Sequence, residues 1–327
     1  MLKESDFRPL FWLKNSHLQT LWATLLRRPA NSRSHTERLI LPDGDFLDLE
    51  WTSNTGKAIV VILHGLEGSA KSNYVRGLFA CCVDHQWQAV AMHFRGCSGE
   101  PNLASRAYHS GETTDLHFVL QTIRTRYPDL PIFIVGFSLG GNVLLKYLGQ
   151  DDQHVPVTAA IAVSVPFKLN DVAIRLEYGF SRLYQWHLVR KLKRTIVQKA
   201  NTVPLQIDLK YAKAARTFRE YDDRVTAPLH GFEDVDDYYT RSSSHQFLKN
   251  ILTPTLILHA RDDAFMTDAI IPAEEELSDS VTLEVSEHGG HVGFISGRWL
   301  PEYWLEKRIC AFIQAQLKEQ HDINDHE

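Results

Sequence analysis

The stretch that most constrains this chain is Gly136-Phe137-Ser138-Leu139-Gly140. It follows the apolar, β-branched run Ile132–Val135 and leads into Asn142–Leu148, an apolar helical segment stopped by Gly149. Strand, turn and buried helix in that order make G-x-S-x-G a nucleophile elbow: the serine occupies a strained turn, and its hydroxyl stands clear of the sheet. Outside such a context the same five residues would be a tight turn that contains a serine.

An elbow needs a sheet. Runs rich in Val, Ile, Leu and Ala at Ile59–Leu63, Ala89–His93, Ile132–Val135, Ala159–Ser164, Thr255–Leu258 and Val281–Val285 predict strands covered on both faces. That is the signature of a parallel sheet flanked by helices, an α/β fold. Helices are expected near Asn73–Asp84, Thr113–Arg126, Asn142–Leu148, Asp268–Leu277 and Tyr303–Lys318, followed by a frayed polar tail from Glu319. Glu37–Leu41 and Phe46–Trp51 flank Pro42-Asp43-Gly44-Asp45 and read as a hairpin. Between Pro166 and Asn250 no strand is visible, but helical stretches are, at Val172–Glu177, Leu183–Lys199 and Leu209–Glu220. An insertion of that length is a subdomain rather than a loop. The organisation expected is a core of residues 1–165 and 251–327 with a helical cap, 166–250, over the carboxyl ends of the strands. The aromatic and leucine-rich segment Phe7–Leu26 takes helical spacing from His17 onward and predicts an amphipathic helix laid on the body, with membrane association as the other reading.

A serine hydroxyl becomes nucleophilic only when a base takes its proton, and that base needs an orienting acid. On sheets with such an elbow the acid and then the histidine follow the serine in the chain. After the strand Thr255–Leu258 comes Arg261-Asp262-Asp263-Ala264-Phe265, and after Val281–Val285 comes His288-Gly289-Gly290-His291. We assign Asp263 as the acid, with Asp262 as the alternative that caps the loop or meets solvent. We assign His291 as the base, with His288 as the alternative, because Gly289 and Gly290 permit a sharp turn that delivers the next side chain inward. A tetrahedral oxyanion needs donors, and removing one costs on the order of a hundred- to a thousandfold in rate. The N–H of Leu139 is one candidate. The other is the N–H of Leu66, in the loop His64-Gly65-Leu66-Glu67-Gly68 after the first parallel strand.

Other features carry two readings. Arg95-Gly96-Cys97-Ser98-Gly99 is a structural turn, or it shapes the pocket or binds an anionic group; Cys97 has no adjacent base. Arg182–Lys199 holds six Lys/Arg and no acid, interleaved with Leu183, Trp186 and Leu188. It reads as a lid helix with one wet basic face, or as a surface for an anionic membrane or a lipid substrate. A net charge of −5 opposes a nucleic-acid partner. No run approaches the roughly 20 apolar residues of a membrane span. The early acids Glu4 and Asp6 and the four cysteines, read as free or buried thiols, favour a cytoplasmic protein. No H-E-x-x-H or clustered Cys/His spacing calls for a metal, and no cofactor is expected.

Taken together, Trp12–Thr20, His64–Gly68, Phe94–Gly99, Gly136–Asn142, Asp262–Phe265 and Gly289–Phe294 resemble the hydrolase-4 group of the α/β-hydrolase superfamily. That group includes bacterial YheT-type proteins classed as esterases and eukaryotic relatives acting on lipid esters. The resemblance covers nearly the whole chain and implies a charge-relay triad of Ser138, Asp263 and His291. It departs at Ala264, where relatives have proline, which loosens the acid's loop. The activity expected is a cofactor-free serine carboxylesterase for short- to medium-chain or lipid-like acyl esters. The alternatives are acyl transfer to an alcohol and a catalytically silent binding module.

Overall fold

The structure, a computed structural model, describes residues 1–27, 32–150 and 155–324. The strands of the main sheet are β1 (Leu2–Glu4), β2 (Ser34–Ile40), β3 (Phe46–Thr52), β4 (Ile59–Leu63), β5 (Gln88–Met92), β6 (Ile132–Phe137), β7 (Ala159–Val163), β8 (Thr255–Ala260) and β9 (Val281–Ser286). They form one sheet in the order β1-β9-β8-β7-β6-β4-β5-β3-β2. Every pairing from β1 through to β5 is parallel; only the β2–β3 hairpin joins antiparallel, at the β5 edge. β4, β6 and β7 are buried along their whole length, the physical reason for their unbroken apolar runs. Alternation then splits the core. Ile59, Val61 and Leu63 face one side of the sheet, and Val60 and Ile62 face the other.

The helices α1 (Ser16–Leu21), α2 (Asn73–Asp84), α3 (Thr114–Arg126) and α4 (Leu139–Gln150) precede β7 or lead into it, and α11 (Trp304–Asn324) closes the chain. α3 and α4 cover the Ile59 side, and α2 and α11 the Val60 side. Between β7 and β8 lie α5 (Leu169–Arg175), α6 (Ser181–Ala200), α7 (Leu209–Ala214), α8 (Phe218–Tyr221), α9 (Ala227–His230) and α10 (Val235–Ser242), then a 3₁₀ turn at Ser244–Asn250.

Several expectations are corrected. Asp268–Leu277 is not a helix but two short 3₁₀ turns, Asp268–Ile270 and Glu274–Glu276. Pro272 between them lacks an N–H and holds Ile271 extended, with ψ 121°. The tail is not frayed from Glu319, because α11 continues to Asn324; residues 325–327 lie outside the described residues. Cys81 of α2 and Cys310 of α11, 229 positions apart, meet sulfur to sulfur, while Cys82 is buried and Cys97 half-buried.

The N-terminal segment is turned inside out relative to its expected packing. In α1 the buried residues are Gln19 and Thr20, whereas Leu18 is half exposed and Leu25 and Leu26, in the π-helical turn Trp22–Leu26 that continues it, are exposed. The Gln19 amide explains the inversion. Its nitrogen donates to the carbonyls of Leu13 (2.7 Å) and Ile295 (3.0 Å), and its oxygen accepts from the Ile295 N–H (2.6 Å). A buried amide with three partners outweighs the burial of one leucine face, because leaving those backbone groups unpaired would cost about 1–3 kcal/mol each. Among the described residues no helix is long and apolar enough to cross a membrane.

Candidate active site

Because the strands from β4 onward run parallel, the loops after β4, β6, β8 and β9 emerge at one edge of the sheet. Ser138 follows β6 with φ 52°, a left-handed conformation that costs a non-glycine residue energy and is held by its N–H donating to Val163 O (2.8 Å). The turn closes only because Gly140 lacks a side chain: a Cβ there would lie 2.5 Å from Leu63 O. α4 starts immediately at Leu139, three residues earlier than the apolar pattern predicts.

The structure brings Ser138, His291 and Asp263 into one line. His291 Nε2 lies 2.9 Å from Ser138 Oγ, and His291 Nδ1 lies 2.8 Å from Asp263 Oδ2. Asp263 is buried, and its Oδ1 accepts from the Phe265 N–H at 2.8 Å. This arrangement requires the proton of a neutral His291 on Nδ1, leaving Nε2 to accept from the serine. The alternative residues form a second pair beside it. His288 Nδ1 is 3.2 Å from Asp262 Oδ2, and Asp262 Oδ1 accepts from the Gly290 N–H at 2.9 Å. That outer pair is wetter, with side chains 41% and 22% exposed against 9% and 1% for His291 and Asp263. Asp262 therefore braces the histidine loop rather than capping its own.

Three contacts around the line were invisible in the sequence. The Phe265 ring stacks on the His291 imidazole, centroids 4.0 Å apart and 7° from parallel. Thr20 of α1 accepts from the His291 N–H (2.9 Å), so the N-terminal helix uses its polar side to hold the loop after β9. Ser181 Oγ donates to Ala264 O (2.5 Å), which ties down the loop that the missing proline was expected to loosen.

The His64–Gly68 loop lies against the elbow: a Cβ on Gly65 would be 3.3 Å from that of Ser138. Among the described residues the N–H groups of Leu66 and Leu139 donate to no protein acceptor, and both residues line a cavity together with Ser138 and His291. The loop is pinned around them. The Glu67 N–H donates to the Tyr108 hydroxyl (2.9 Å), which donates to Glu67 Oε1 (3.0 Å), and Thr195 Oγ1 of α6 donates to Glu67 Oε2 (2.7 Å). The cavity holds about 360 Å³, and its apolar wall comes largely from the segment between β7 and β8, through Leu169, Val172, Leu176, Leu188 and Leu192.

Arg95 has a structural position. Its guanidinium binds Asp115 with two hydrogen bonds of 2.7 Å and reaches Asp43 and Asp45 at 2.8 Å, so its donors are engaged and buried. Cys97 is held as a thiol, since burial raises its pKa well above the usual range. Among the described residues, donors within reach of one metal ion come from Cys81, His85 and Cys310, all within 4.8 Å. They are two sulfurs and one imidazole nitrogen, one donor short of the four of a closed zinc site.

Two buried histidines frame the site in neutral form. His64 accepts from the Phe94 N–H at Nε2 (3.2 Å) and so donates from Nδ1 to Gly65 O (2.7 Å); desolvation lowers its pKa to about 3. Desolvation lowers that of His259, on β8, to about 4. Both values lie below the unfolded value of about 6.5, so the unfolded chain binds these protons more tightly. Their contribution is complete above pH 6.5 and is lost as pH falls below it. Between pH 7 and 5 each should cost about 2 kcal/mol. Asp222, raised to about 6 by burial, works in the opposite sense below pH 6 and returns about 1 kcal/mol. Urea unfolding at the two pH values should therefore show a net loss of stability at pH 5, enlarged by His109, which burial likewise lowers to about 3. Equal or greater stability at pH 5 would contradict neutral burial of these imidazoles.

Residues 58–298 match a family model described as "alpha/beta hydrolase fold". Over 96% of this chain and 94% of the relative, the sequence is 44% identical to the Escherichia coli (strain K12) protein named "Putative esterase YheT". It is 29% identical to "Phospholipase ABHD3" of Mus musculus, over 98% of this chain and 80% of the relative. The solved Pyrococcus furiosus esterase Pf2001 superposes with a TM-score of 0.58 at 16% identity, covering 88% of this chain and 91% of that one. At that identity the likeness concerns the fold alone.

Proposed function

The chain belongs to the alpha/beta hydrolase family, and from that premise we propose that it is a serine carboxylesterase acting on acyl esters with an apolar acyl group. The observation that carries the proposal is the unbroken path from Asp263 through His291 to Ser138 Oγ, with contacts of 2.8 and 2.9 Å, opening beside two unengaged N–H groups on an apolar cavity. In this reading Ser138 Oγ attacks the ester carbonyl while His291 Nε2 takes its proton. Asp263 holds the imidazole in the accepting tautomer and stabilises the imidazolium that forms. The N–H groups of Leu66 and Leu139 receive the oxyanion. Collapse of the tetrahedral intermediate passes the His291 proton to the departing alcohol, and a water then cleaves the acyl-enzyme by the same steps in reverse roles.

Residues 166–250 act in this proposal as a cap that supplies the acyl wall. The names of the relatives, an esterase and a phospholipase, support an ester hydrolase and leave the acyl chain open. A panel of p-nitrophenyl esters of graded acyl length tests the reading. Turnover should rise from acetate to medium-chain esters as the chain fills the cavity, by up to about tenfold per one to two methylenes buried. Released acid should account for the product even when a primary alcohol is added. Quantitative transfer of the acyl group to that alcohol would instead make the protein an acyltransferase.

A further inference from the structure

We propose that the outward face of α6 docks on anionic phospholipid bilayers, which deepens the hydrolase reading by naming where its lipid-like ester resides and rests on that reading for its catalytic consequence alone. α6 spans 20 residues, about 30 Å of helix. Its inner face belongs to the cavity, through Leu188, Leu192, Thr195 and Ile196. Its outer face presents four cations, Arg182, Arg190, Lys191 and Arg194, interleaved with Leu183 and Trp186, which are 55% and 58% exposed. The offsets of i, i+1, i+4, i+8, i+9 and i+12 from Arg182 spread the six over the outer half of the helix, with Leu183, Trp186, Arg190 and Arg194 along its middle. The helix contains no acid.

The charges on this face are uncompensated. Among the described residues none of the four cations pairs with a carboxylate, whereas Arg219 and Arg241, in the same segment of the chain, pair with Asp236 and Asp237. In a chain of net charge −5 such a face is a local reversal of sign. The apolar surface continues past the helix start through Tyr178 and Phe180, 64% and 47% exposed, and Phe180 packs on His17 at 4.5 Å, next to the exposed Leu18. Cations interleaved with Trp, Leu and Phe on an exposed helix are the pattern of a helix lying in a bilayer interface. Each Lys or Arg gains from the anionic surface, and the aromatic and leucine side chains enter the headgroup region.

Other occupants fit less well. A second copy of the chain related by a two-fold axis would set these four cations against the same four. A nucleic acid would satisfy the charge but would be repelled by the rest of the acidic molecule. The placement also has a consequence for the site. α6 is bonded to both of its loops, through Thr195 to Glu67 (2.7 Å) and through Ser181 to Ala264 (2.5 Å). The exposed Gln198, at its far end, also lines the cavity. A lipid surface held on this helix would thus lie directly over the cavity roof.

Co-sedimentation of the full chain with vesicles of phosphatidylcholine, alone or mixed with phosphatidylglycerol, tests the proposal. The wild type should bind the mixed vesicles at low salt, bind the neutral ones far more weakly, and be released by raised salt. The triple variant R190Q/K191Q/R194Q should bind the mixed vesicles on the order of a hundredfold more weakly. L183A/W186A should lose roughly tenfold or more. Both should turn over a soluble short-chain ester at the wild-type rate, which also shows that they are folded. S138A should bind as the wild type does, so a failure of the hydrolase reading would leave the vesicle result intact. The proposal is overturned by equal affinity for both vesicle types, by triple-variant binding equal to wild type, by tighter binding to a DNA duplex than to vesicles, or by a dimer that the triple variant dissolves.

Discussion

Replacing Ser138 with alanine should lower kcat for a soluble ester by about 10⁶-fold, leave KM within a few-fold, and abolish stable labelling by a fluorophosphonate probe. The size follows from what is removed. Without Oγ no acyl-enzyme can form, and only binding and the N–H groups of Leu66 and Leu139 remain to assist direct attack by water, a residual effect of about 10³–10⁴ over the uncatalysed reaction. The fold should be unaffected. The turn is held by main-chain bonds, Ser138 N–H to Val163 O (2.8 Å) and Asn142 N–H to Ser138 O (3.0 Å), and alanine keeps both. The variant should therefore unfold in urea close to the wild type. Turnover within tenfold of wild type in a folded S138A protein would remove the nucleophile from the proposal.

The second large effect separates two adjacent carboxylates. Asp263→Asn should reduce kcat by about 10⁴-fold, because an amide placed at Oδ2 can donate to Nδ1 and so favours the imidazole tautomer whose Nε2 carries the proton and cannot accept from Ser138. Asp262→Asn should cost less than about tenfold, since its remaining oxygen can still accept from the Gly290 N–H. Measuring the pair under one set of conditions matters more than either value. If the larger loss falls on Asp262, the outer pair with His288 is the functional one, and the line through His291 is structural.

Much of this site was legible before any coordinates. The elbow, the order of serine, acid and histidine, and the loop after the first parallel strand can all be read locally, since each depends on strand ends and turn chemistry within about ten residues. The choice of Asp263 over Asp262 and of His291 over His288 was favoured by turn chemistry, but local order left both alternatives open. Both acids follow β8 and both histidines follow β9, and the observed partners lie 26 and 28 positions apart. Periodicity also misled in one direction. Leu18, Leu21, Trp22 and Leu25 do share a helical spacing, but the groups that decided which side of α1 faces inward are carbonyls at Leu13 and Ile295. Pro272 was a visible breaker of the helix expected over Asp268–Leu277.

What the amino-acid order determined by itself was the sheet apart from its edge strand β1, its buried strands, the position of the serine turn and the helical character of the segment between β7 and β8. Each follows from hydrophobic period and backbone preference, which act between near neighbours in the chain. Only the tertiary structure decided that His291 reaches Ser138 across 153 positions, that Thr20 holds His291 from 271 positions away, and that Cys81 meets Cys310. Those pairings depend on which surfaces pack together. Packing is a property of the whole folded volume, and no local stretch encodes it.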